Sequence, residues 1–78
     1  MYTFNRLKNT TKLSQQEYRI LKHLINGLGN KEIAEEMKIT IHTVKVHISS
    51  IIKKFQAKNR THAACLAIKK GLTDNDIV

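Results

Sequence analysis

Seventy-eight residues with 14 Lys and Arg against 6 Asp and Glu make a chain of formal net charge +8, of which 41% is hydrophobic. That length excludes large catalytic frames such as the TIM barrel, at about 250 residues. The apolar share excludes a disordered polyelectrolyte, and the single cysteine, Cys65, excludes an internally disulfide-stapled mini-protein.

A folded cation of this kind is expected to meet a polyanion, nucleic acid before an anionic membrane; the bland alternative is that the charge serves solubility alone. No apolar run approaches the roughly 18 residues of a membrane span. Residues 1–12 lack the apolar stretch of a signal peptide. The expectation is a soluble, intracellular protein.

There is no proline, and glycine occurs only at Gly27, Gly29 and Gly71. With helical periodicity, that predicts an all-α domain. Residues 1–12 and 73–78 show no periodicity and read as tails, leaving one domain over 13–72. Ser14-Gln15-Gln16-Glu17 is a capping box that starts the first helix. Leu21, Leu24, Ile25 and Leu28 form its apolar stripe, and Gly27-Leu28-Gly29 ends it. Asn30 is the expected N-cap of a short second helix over 31–37, with Ile33, Ala34 and Met37 inward. Lys38-Ile39 makes a tight break. Thr40 caps a third helix over 41–56, whose Val44, Ile48, Ile51, Ile52 and Phe55 fall on one face. Asn59 caps a fourth helix over 60–70, stopped by Gly71.

The third helix carries the functional signal. At 100° per residue its side opposite the core presents His42, Lys45, Val46, Ser49, Ser50 and Lys53. Val46 points away from the core, between basic and hydroxyl side chains. Such a surface suits a DNA major groove: lysine can bond guanine O6 or N7, serine can donate or accept, and an apolar group can meet a thymine methyl. The alternative is a solvated face that happens to include one valine.

Charge distribution favours the first reading. From Met37 to Thr73 there are eight basic residues and no acidic one, whereas the acids sit at Glu17, Glu32, Glu35, Glu36, Asp74 and Asp76. A short helix, a turn of about three residues and a longer helix with a polar outer face is the helix-turn-helix pattern. The small Ala34 lets its two helices cross closely.

The run from Leu13 to Leu72 resembles the LuxR/GerE-type helix-turn-helix domain of bacterial transcription factors. The resemblance rests on Leu13-Ser14 with Glu17 and Ile20-Leu21, on Gly27-Leu28-Gly29-Asn30-Lys31-Glu32-Ile33-Ala34, on Thr43-Val44-Lys45-Val46-His47, and on Asn59-Arg60-Thr61-His62-Ala63 through Lys70-Gly71-Leu72. It implies a four-helix fold whose third helix enters the major groove and whose fourth makes a dimer. Lys45, Val46 and Ser49 match base-reading positions, the last often basic in relatives. Asn30, Lys31, Thr43 and Lys53 match or neighbour phosphate-holding positions. His47 matches a frequent histidine, read as a phosphate contact or a partly buried side chain. Thr40 and His42, at the start of the third helix, join the backbone-contacting set, since helix N-termini bind phosphate directly. The chain departs from the family at Gln15, usually proline, at Arg19, usually acidic, at Lys38, often glycine, and at Ile41-His42, often Glu-Lys or a similar polar pair.

The fourth helix has two apolar sides. Ala63, Leu66 and Ala67 can close the core, while Ala64, Cys65, Ile68 and Leu72 form a second strip. Self-association through that strip would offset a small core, and a two-fold dimer would set two reading helices about 34 Å apart over an inverted repeat. The strip could instead pack on the first helix or the N-terminal tail.

His62 and Cys65 are too few ligands for a structural zinc site, which needs four. Cys65 has no placed base, and no phosphate-cradling glycine loop or paired carboxylates occur, so neither a cofactor nor an enzyme is expected. The leading expectation is a sequence-specific dimeric DNA-binding transcription regulator of the bacterial cytoplasm and nucleoid, with RNA polymerase as a further partner. It is either a small stand-alone regulator or the DNA-binding piece of a longer one. The alternatives are a protein-interaction module using the strip of the fourth helix, and a membrane-surface helix. The second is disfavoured because the outward face of the third helix lacks Trp, Phe and Leu.

Overall fold

In a computed structural model that describes residues 13–71, the described residues form four helices and no strand: α1 (Gln15–Ile25), α2 (Asn30–Met37), α3 (Ile41–Phe55) and α4 (Arg60–Lys69). The expected tails and Leu72 lie outside the described residues.

The chain's local chemistry accounts for each boundary. The Glu17 N–H donates to Ser14 Oγ at 3.1 Å and the Ser14 N–H donates to Glu17 Oε1 at 2.9 Å, so the capping box forms in both directions. α1 closes through paired bonds from the Leu28 N–H to the His23 carbonyl and from the Gly27 N–H to the Leu24 carbonyl. That closure holds Gly27 at φ +84°, where a side chain would be strained.

α2 begins one residue earlier than expected. Gly29 is its N-cap, its N–H donating to Glu32 Oε1 at 2.7 Å, and Asn30 is already helical. The reason is competition: the Asn30 side-chain carbonyl accepts from Arg60 Nη1 and does not fold back on its own helix. α2 ends at Lys38 in the left-handed region, φ 58°, which is why glycine is the unstrained residue at that turn.

Thr40 caps α3 as expected, with Oγ1 accepting from the Thr43 N–H at 3.1 Å. α3 stops at Phe55 because Gln56 turns left-handed, φ 54°. Asn59 caps α4, its Oδ1 accepting from the His62 N–H at 2.8 Å, while His62 Nδ1 accepts from the Lys58 N–H at 2.9 Å. α4 ends at Lys69, one residue short of the expected 60–70.

Ile20, Leu21, Ile33, Val44 and Ile51 are fully buried, each worth roughly 1.5–3 kcal/mol of apolar burial. The buried line of α1 is Ile20, Leu21 and Leu24 with Glu17; Ile25 and Leu28, expected in that stripe, are half-buried. α1 packs against both α3 and α4, which rotates its inward face toward Ile20. α2 packs on α3 with Ile33 and Ala34 inside and Met37 half-buried. Along α3, Val44, Ile48, Ile51 and Phe55 are buried and Ile52 half-buried, while α4 closes the core with Ala63 and Ala67.

Candidate nucleic-acid interface

The buried stripe of α3 fixes what its opposite side shows. His42, Lys45, Val46, Ser49 and Lys53 are exposed, Val46 at 51%. A β-branched side chain held half out of the protein beside a lysine and a serine gains less from the fold than a buried one. Ser50 does not belong to this face. It is half-buried and donates its hydroxyl to Glu17 on α1. Ile41, 43% exposed at the first residue of α3, extends the apolar surface at the helix start. The core periodicity hid it, because only its position at the helix end uncovers it.

The expected phosphate-holding residues lie around the starts of α2 and α3, except Lys53, which is in the last turn of α3. Lys31 is exposed on the first turn of α2. The Thr40 and Thr43 hydroxyls lie 2.9 Å apart at the start of α3, beside exposed His42. His47 is half-buried one turn further along. Asn30 is half-buried and oriented: a guanidinium has only donors, so the atom meeting Arg60 is the carbonyl, and the Asn30 NH₂ is turned elsewhere.

The basic stretch is less uniform than its sequence. Lys54 pairs with Glu17 at 2.8 Å across α1 and α3. Arg60 donates to Asn30 and, at 3.0 Å, to the Leu28 carbonyl, tying α4 to the entrance of α2. Both were expected in the electrostatic footprint, and both are engaged inside the protein. Lys38, Lys45, Lys53, Lys58 and Lys69 are exposed. Burial pushes the Glu17 carboxyl up, but donors from Lys54, Ser50 and the Ser14 N–H outweigh it and hold it below its ordinary value.

On the far side of α1, an open groove of about 350 Å³ runs between α1 and α4, lined by Leu24, Ile25, Leu28, Ala64, Cys65 and Ile68. Ala64 is half-buried against the core, Cys65 is exposed, and Ile68 is 53% exposed. The strip expected on α4 is therefore split: Ala64 partly joins the core and the other two project outward. Among the described residues no group of three or more His, Cys, Asp or Glu could hold a metal ion. None of the described helices is long and apolar enough to cross a membrane.

Two helices joined by a three-residue turn, the second carrying an exposed polar face, define a helix-turn-helix unit. Residues 11–67 match GerE, the bacterial regulatory proteins of the luxR family, and the chain belongs to that family. It is 44% identical over 61 residues to the transcriptional regulatory protein LnrK of Bacillus subtilis, covering 78% of this chain and 28% of that protein. It is 38% identical over 72 residues to the response regulator VraR of Staphylococcus aureus, covering 87% of this chain and 34% of that one. Among solved structures, it resembles one chain of VqmA of Vibrio cholerae, a LuxR-type receptor described there as a dimer, with TM-score 0.77 and 31% identity over 82% of this chain and 29% of that one. The chain thus spans about a third of the length of the curated relatives it matches.

Proposed function

We propose that residues 13–72 form the sequence-specific DNA-binding domain of a transcription regulator, acting as a dimer on duplex DNA with α3 in the major groove. The carrying observation is the outer face of α3, with Val46 half-exposed between Lys45 and Ser49 and opposite a buried stripe. Lys45, Val46 and Ser49 read base edges. Lys31, Thr40, His42, Thr43, His47, Lys53 and the NH₂ of Asn30 hold phosphates.

Ile68 and Cys65, with Ala64 and Leu72, make the contact between two copies. Hydrophobic exposure at 53% at Ile68 of α4 supports this reading. The relatives described as transcriptional regulatory proteins support a non-enzymatic role, and in this reading the chain acts in the bacterial cytoplasm, at the nucleoid. In this reading RNA polymerase is a further partner.

Duplexes selected from a random pool supply the test. Lys45→Ala and Val46→Ala should each weaken the selected duplex by about 1–3 kcal/mol while leaving a random duplex nearly unchanged. Equal losses on both duplexes would remove these residues from the reading set. If the wild-type chain proves monomeric and has no affinity for any duplex, the α4 strip is instead a docking site for another protein.

A further inference from the structure

Glu17 is an ionisable side chain only 5% exposed, and it stands on the first turn of α1, not on α3. Three donors converge on it: the Ser14 N–H at 2.9 Å, the Lys54 ammonium at 2.8 Å, and the Ser50 hydroxyl. Ser50 and Lys54 are four residues apart, on successive turns of one side of α3. One carboxylate, itself fixed by a capping box, therefore holds α3 at two points along its length. Ser50 directly follows Ser49 and Lys54 directly follows Lys53, so the held side adjoins the outward face.

The apolar stripe of α3 determines which side turns inward, but apolar contact is non-directional and tolerates small rotations. Charge-assisted hydrogen bonds do not, because they weaken with angle. A buried carboxylate that loses its donors is costly. A rotation of about 20° moves a side-chain tip about 6 Å from the helix axis by about 2 Å, more than a base-edge hydrogen bond survives.

We propose that Glu17 is a positioning residue for DNA reading: through Ser50 and Lys54 it fixes the rotation of α3 and hence where Lys45, Val46 and Ser49 meet the bases. This rests on the DNA-binding reading above. Lys54 accordingly acts within the protein, not on phosphate.

The test compares wild type with Glu17→Gln, which keeps a capping acceptor but loses the charge, and with Lys54→Met. Two quantities are read: the ratio of affinities for a selected and a random duplex at fixed salt, and the backbone residual dipolar couplings of α1 and α3 in the free protein. The ratio should fall about tenfold, the loss expected from one mis-set base contact, with random-duplex affinity nearly unchanged, and the couplings should report a changed rotation of α3 about its own axis relative to α1. Lys54→Arg should restore the ratio relative to Lys54→Met.

An unchanged ratio with unchanged couplings overturns the proposal. So does a proportional loss on both duplexes that follows the folded fraction, because that is the signature of a merely structural role. If Glu17→Gln does not fold, Ser50→Ala leaves the capping box intact and carries the same expectation at smaller size. Should the wild type itself show no duplex preference, the DNA-reading interpretation fails, and the couplings alone decide whether Glu17 sets the rotation of α3.

Discussion

A lysine strengthens phosphate binding by releasing counterions only while its charge is free to face the nucleic acid. Lys53 and Lys54 are adjacent in sequence and opposite in circumstance: the first is exposed, the second bonded to Glu17 at 2.8 Å. Lys53→Ala should lower the slope of log affinity against log salt by about 1, uniformly across duplexes, whereas Lys54→Met should leave that slope in place. Anisotropy titrations of labelled duplex at several salt concentrations measure both. Sequence alone could not separate the two, because helical angle distinguishes inside from outside but does not reveal which neighbouring element supplies a carboxylate. Val46 was legible, since an apolar side chain opposite a strong stripe needs no knowledge of neighbours. The clasp of Arg60 on Asn30 was not, because thirty residues separate them.

At the level of elements, caps and stripes were nearly all readable, since both depend on residues within a few positions of one another. Ser14, Thr40 and Asn59 cap where their side chains predict. The start of α2 differed because a tertiary partner took the side chain of Asn30 away from its own helix. Thr40→Ala removes the acceptor for the Thr43 N–H and should cost about 1 kcal/mol in urea denaturation. Ile51→Ala, at a fully buried position of the same helix, should cost about 2–5 kcal/mol. The tie between α1 and α3 should also show in acid. The Glu17 carboxyl is held below its ordinary value of 4.5 in the folded protein, so its contribution to stability is complete above about pH 4.5. That contribution is lost as pH falls through the lower folded value. Urea midpoints of wild type and Glu17→Gln should therefore differ most above pH 4.5 and converge below it; a constant difference would contradict the sign.

For the whole molecule, among the described residues the four helices leave two surfaces uncovered, the outer face of α3 and the groove side of α4. A domain this small gains from covering the second with another copy. Ile68→Glu should abolish dimers in sedimentation velocity and weaken binding to an inverted-repeat duplex far more than to a single half-site. Equal effects on both duplexes would remove α4 from the dimer. The account turns most directly on where DNA touches the protein. An amide-resonance titration of isotopically labelled protein with a selected duplex should move His42, Lys45, Val46, Ser49 and Lys53 first and furthest, with the α2 start following and the groove side of α4 quiet at constant oligomeric state. Perturbations confined to α1 and α4, with the outer face of α3 unmoved, would contradict it.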